Sequence, residues 1–217
     1  MSSTTRFGNL GRVFKEGESD VFNGIARLSV LYEDLRLELE ALRLVQEKPE
    51  EERTAADQYR VMYFLRRALS TLIEFRGGLT TVRLTPEFKS ASLSAMDEGY
   101  ISKADQYLQQ HWLKIKDLRN EFCGHVQLPG VRFATQHFSD VIGSVTWNRA
   151  TDGWSMALEC EFAGHVVAGA FSSKLAAGTD VRAELRTALT IISDGFLHAQ
   201  AAMVALVHAF LWDSFGR

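Results

Sequence analysis

The stretch Ser19–Glu47, SDVFNGIARLSVLYEDLRLELEALRLVQE, decides the fold. Val21, Ile25, Leu28, Leu31, Leu35, Leu39 and Leu42 recur every three or four residues, which puts them on one face of a helix and leaves the charged residues on the other. A stripe of that length needs partner helices to cover it. Downstream, Glu47, Glu50, Glu51 and Glu52 surround Pro49, so a proline stops the helix inside a solvated acidic loop.

Partners of the right kind follow. Thr54 with Asp57 three residues later has the spacing of a capping box. Val61, Phe64, Leu65, Ala68, Leu69, Leu72, Ile73 and Phe75 then continue at helical spacing, and Gly77-Gly78 is read as the stop. Thr85-Pro86-Glu87 begins a short piece with proline at the first helical position. Ser102 and Asp105 are read as the cap of a third long helix, carrying Leu108, Trp112, Ile115, Leu118 and Phe122 on one stripe and ending near Gly124. A last helix is expected from about Asp180 to about Trp212.

Between the third and last long helices the period changes. Val141, Gly143, Val145 and Trp147 alternate with Ile142, Ser144, Thr146 and Asn148, and Trp154, Met156, Leu158, Cys160 and Phe162 alternate again after a polar turn. Val166 to Phe171 offers a third strand. The expected fold class is therefore mainly α: an up-and-down helical bundle with an inserted small antiparallel β-sheet at about 131–175, the 217 residues forming a single domain.

Composition narrows the function. The net charge of −3 argues against bulk binding to duplex DNA by phosphate neutralisation. Two cysteines, Cys123 and Cys160, are too few for a disulfide framework or a four-cysteine zinc site, and reduced thiols in a cytoplasmic protein are the simpler account. The polar segment Met1–Leu10 lacks the apolar core of a signal peptide. The uncharged run between Asp194 and Asp213 approaches the length of a membrane span, but His198, Gln200 and His208 interrupt it, so a buried core helix and no membrane contact are expected.

The third long helix ends as Asp117-Leu118-Arg119-Asn120-Glu121-Phe122-Cys123-Gly124-His125. Its register puts Arg119 beside the apolar stripe. A guanidinium there must be paired inside the fold, or face a groove or a partner chain. His125 follows within two turns. An imidazole near a fixed guanidinium suits phosphodiester chemistry, the one moving protons near neutral pH and the other stabilising charge on phosphate oxygens. The structural alternative is that Arg119 and Asn120 bond the last carbonyls of their helix and His125 is a loop histidine.

This Arg-Asn-x4-His element at the end of a long helix resembles the motif of the HEPN proteins, helical bundles marked by an arginine, a polar residue and a histidine a few positions on. The resemblance implies a metal-independent endoribonuclease, a homodimer whose two motifs face one composite cleft, and a place in phage defence or toxin–antitoxin biology, with an antitoxin as a further partner. It assigns catalytic roles to Arg119, Asn120 and His125, and RNA as substrate, with 2′,3′-cyclic phosphate ends as product. The alternative is a non-catalytic HEPN-like module for protein interaction or ligand sensing.

Other signals are weaker. Glu121 and His125 have metal-ligand spacing but no second pair, so no metal is expected. No Gly-rich phosphate loop is present, and no cofactor is expected. Cys123 has no assembled Cys-His-Asn set around it. His198 and His208 read as satisfied core or interface groups. Trp112, Trp147, Trp154 and Trp212 read mostly as core, and Arg60, Arg66, Arg67 and Arg76 as a solvated face.

Overall fold

The computed structural model describes residues 19–123, 144–150, 153–159 and 181–211. Six α-helices lie among them: α1 Asp20–Gln46, α2 Ala55–Leu84, α3 Pro86–Ser90, α4 Ala95–Gln110, α5 Trp112–Cys123 and α6 Val181–Leu211, with a 3₁₀ turn at Glu50–Glu52. The expected limits of the first and last helices agree with α1 and α6 to within a residue or so.

The expected fold class is corrected on one point. Outside 144–159 the described residues are 91% helical, and no inserted β-sheet is seen on the helices. The extended backbone that is described amounts to one two-stranded hairpin, β1 Ser144–Ala150 antiparallel to β2 Gly153–Glu159, paired from Ser144–Glu159 to Ala150–Gly153. Period-two alternation specifies pairing of neighbours. It does not specify a third strand or a covered face, and two strands alone form no layer that a core can rest on. The third strand expected at 166–171, and most of the 131–175 insertion, lie outside the described residues.

Two further boundaries differ from the sequence reading. Helix α2 runs through Gly77-Gly78 to Leu84. Gly78 is buried and faces α1, where an added Cβ would lie 2.9 Å from Leu28 Cδ2. The glycine thus allows close helix packing and does not end the helix. The third long helix is two helices. Ser94, not Ser102, caps α4 by accepting from the Asp97 amide, and the break falls at His111, whose backbone (φ −92°, ψ 2°) leaves the helical region.

The chain forms two compact units. The first takes residues 19–36, 71–113 and 191–211 among those described. Within it α1, α2, α4 and α6 alternate in direction. Gly24 meets Val82 and Gly78 meets Leu28, so α1 and α2 are antiparallel. Arg76 donates to Gln109 and Arg83 pairs with Asp105, which sets α4 against α2. Tyr107 donates to the Ile191 carbonyl at 3.2 Å and Asp97 meets His208, which sets α6 against α4. The core is Val21, Ile25, Leu28, Leu31 and Leu35 with Leu72, Phe75, Leu79, Val82, Ile101, Leu108, Ile192 and Leu206. Alanines 199, 202 and 205 are fully buried on α6. Their small side chains, and Gly195 against Leu72, let this helix sit close to its neighbours.

The second unit takes residues 37–70 and the described parts of 114–190. Its apolar core is Leu42, Val45, Met62, Leu65, Ala68, Leu69, Ile115, Leu118 and Ala188. Two carboxylates are buried here too. Glu38, 5% exposed, takes the place the α1 stripe gives to Leu39 and pairs with Arg67 at 3.4 Å. Asp57, 1% exposed, closes the expected capping box: its amide donates to Thr54 Oγ1 and its carboxylate accepts from the Thr54 amide at 3.1 Å.

Candidate functional site

Helix α5 carries the first part of the motif, from Arg119 to Cys123. Ile115 and Leu118 are buried, which anchors one face of the helix. Lys114 is tied to Glu184 on α6 at 2.6 Å. Arg119, directly after Leu118, is exposed, and no ion pair is formed by it among the described residues. The internal pairing that the sequence leaves open for Arg119 is thus not seen among the described residues. Asn120 belongs to the same helix, but its side chain lies outside the described residues, as does His125 altogether. The structure thus positions one of the three motif side chains and does not bring the three together.

A groove of about 630 Å³ lies in the first unit between α1, α4 and α6, lined by Ser29, Tyr32, Glu33, Met96, Asp97, Tyr100, Met203, Val204, Val207 and His208. Asp97 sits at its wall, 3% exposed. The carboxylate accepts from Ser94 Oγ at 2.6 Å and faces His208 Nδ1 at 3.0 Å. Burial pushes its pKa up, but the hydrogen bonds from Ser94 and His208 and the charge of His208 together hold it below the ordinary carboxylate value. The ion is kept because its neighbours replace the water it has lost.

A second polar feature lies on the same two helices. Tyr107 is flanked by His111 and His198, each ring 4.5 Å from it. Burial, reinforced by the carboxylate of Asp194, raises the Tyr107 hydroxyl to about 12, so it serves as a fixed donor to the Ile191 carbonyl. His198 thus stacks on Tyr107, and His208, an exposed residue, pairs with a carboxylate. Arg76 lies 4.1 Å over the Trp112 ring. Among the described residues no group of three or more His, Cys, Asp or Glu side chains is placed to hold a metal ion.

The Asp97–His208 pair was missed from the sequence because 111 positions separate its members. One local signal was available: Ser94 and Asp97 have capping-box spacing, which marks Asp97 as a helix-start carboxylate. Nothing local marks His208 as its partner.

Compared with protein-family models, characterised proteins and solved structures, the chain matches none of them.

Proposed function

We propose that the chain is a metal-independent endoribonuclease of HEPN type, acting as a cytoplasmic homodimer in a defence or toxin–antitoxin setting with an antitoxin partner. The observation that carries this reading is the exposed Arg119 in the closing turns of α5, two turns ahead of His125 in sequence. An arginine sealed in an internal ion pair has no capacity for a phosphate. One held at the surface by a helix whose other face is anchored has that capacity at little reorganisation cost.

In this reading the RNA 2′-hydroxyl attacks the adjacent phosphorus. His125 takes the hydroxyl proton, and the proton is returned to the leaving 5′-oxygen. Arg119 stabilises the charge on the pentavalent phosphate, and Asn120 orients the imidazole or a phosphate oxygen. The products are a 2′,3′-cyclic phosphate and a 5′-hydroxyl.

The test is digestion of RNA in excess chelator with end analysis of the fragments. Cleavage is expected to persist in chelator and to fall by roughly 10²-fold or more in both Arg119→Ala and His125→Ala. Activity that requires an added divalent ion, or that survives His125→Ala, overturns the proposal. A specific observation also favours the ligand-sensing alternative: the groove between α1, α4 and α6 has the size of a small-molecule site.

A further inference from the structure

We infer that the groove between α1, α4 and α6 binds an organic ammonium, a small amine or quaternary ammonium carrying an apolar body. Neither RNA chemistry nor the motif on α5 enters the argument, so it stands or falls separately from the endoribonuclease reading.

Size and lining come first. A volume of about 630 Å³ accommodates a small molecule and not a helix of a partner protein. Met96 and Val204, 62% and 61% exposed, stand at its rim, and Met203 and Val207 continue the apolar wall. Such surface gains most from an apolar guest, and methionine adapts to irregular shapes.

The sign of the charge follows from the remaining lining. Among the described residues, the charged and titratable side chains that line the groove are Glu33, Asp97 and His208, with Tyr32 and Tyr100, and no lysine or arginine. Glu33 pairs with Arg36 at 2.8 Å, but both side chains are about half exposed, a pairing that water screens and a guest cation can compete with. Asp97 is bonded to His208 and stays ionised. Asp97 is matched by His208, so the carboxylate open to a guest is that of Glu33, which repels an anion and draws a cation.

The tyrosines add a second, independent preference. Tyr32 stacks on Phe196 with centroids 5.4 Å apart and planes 9° from parallel, so its plane is fixed. Tyr100 belongs to the lining from α4. Tyrosine rings in the lining of a groove add an attraction for an ammonium over a neutral group of the same shape.

The probes are 4-phenylbutylamine, 4-phenylbutanol and 4-phenylbutyrate, titrated into the full chain with calorimetry and with the methionine methyl resonances as readout. The amine is expected to bind with a Kd on the order of 0.1–1 mM, about tenfold tighter than the alcohol, with the carboxylate weakest. Val204→Trp, which fills the rim, is expected to abolish binding of all three. Glu33→Gln, a change on an exposed side chain that leaves folding intact, is expected to weaken the amine about fivefold and leave the alcohol unchanged. Butyrate binding as tightly as the amine, equal affinity for amine and alcohol, amine affinity unchanged in Glu33→Gln, or no binding at millimolar concentration each overturns the inference.

Discussion

The two compact units bury different things at the same depth. In the first, α1, α2 and α6 meet through glycine and alanine, and the buried acid Asp97 is matched to an imidazole. In the second, Glu38 lies against Arg67, and Asp57 is held by Lys48 at 2.9 Å and Arg60 at 3.3 Å. The first unit is limited by volume and the second by charge. Close packing punishes an added or missing methyl group, whereas a buried carboxylate punishes loss of its proton balance. The two interiors should thus fail under different perturbations.

The largest test removes volume from the first unit. Phe75 is fully buried, and Phe75→Ala is expected to cost about 3–5 kcal/mol, lowering the melting temperature by roughly 10 °C. A loss below 1 kcal/mol would break the claim that packing governs this unit. Smaller but sharper is a set of glycine substitutions. A Cβ at Gly24 would lie 2.4 Å from Val82 Cγ2, on a stiff β-branched side chain. Gly24→Ala is expected to lose about 1–3 kcal/mol despite its better helix propensity. At Gly77 and Gly99 an added Cβ meets nothing within 4 Å, so the same change there is expected to gain about 0.5–1 kcal/mol. Denaturant midpoints for the three variants decide the matter by sign alone.

In the second unit the tests turn on charge and caps. Thr54→Ala removes the hydroxyl that accepts the Asp57 amide and is expected to cost about 1 kcal/mol by thermal melting. The pH test is the smallest near neutrality. The hydrogen bond from Lys48, then the Thr54 amide, holds the Asp57 carboxyl down at about 2 against an ordinary 3.8. A carboxyl lowered on folding stabilises fully above its unfolded value and ceases to do so as pH falls through about 2. Amide protection around residues 54–60 is therefore expected to fall between pH 4 and pH 2 in the native chain, and less steeply in Asp57→Asn, as read by hydrogen exchange. Equal acid sensitivity of the two proteins would remove Asp57 from the account.

The helices were legible where the apolar pattern and a breaker agreed. Pro49 and the glutamates end α1 where expected, and Thr54 with Asp57 starts α2. Reading failed where a residue type has two uses. Gly77-Gly78 is a stop signal in isolation, but the contact of Gly78 with Leu28 is tertiary, and no local pattern contains it. Ser102 and Asp105 have the same spacing as Ser94 and Asp97, but Ser94 caps the helix, whereas Ser102 lies inside it and Asp105 pairs with Arg83 on α2. Likewise, alternation at 144–159 specifies a hairpin ladder and carries no information about a covering layer. Of the candidate site, the place of Arg119 beside Leu118 left internal pairing and exposure both open, and the groove, assembled from three helices far apart in sequence, left no mark in any one of them.

The glycine contacts between α1 and α2 carry one more consequence. Leucines spaced every three or four residues look alike after a slide of one heptad, so a pair of such helices has several near-equivalent alignments. Two notches, Gly24 opposite Val82 and Gly78 opposite Leu28, each accept a knob in the observed alignment, and a slide would move both knobs off their notches. The hairpin of long helices is thereby keyed, and a periodic sequence acquires a single answer.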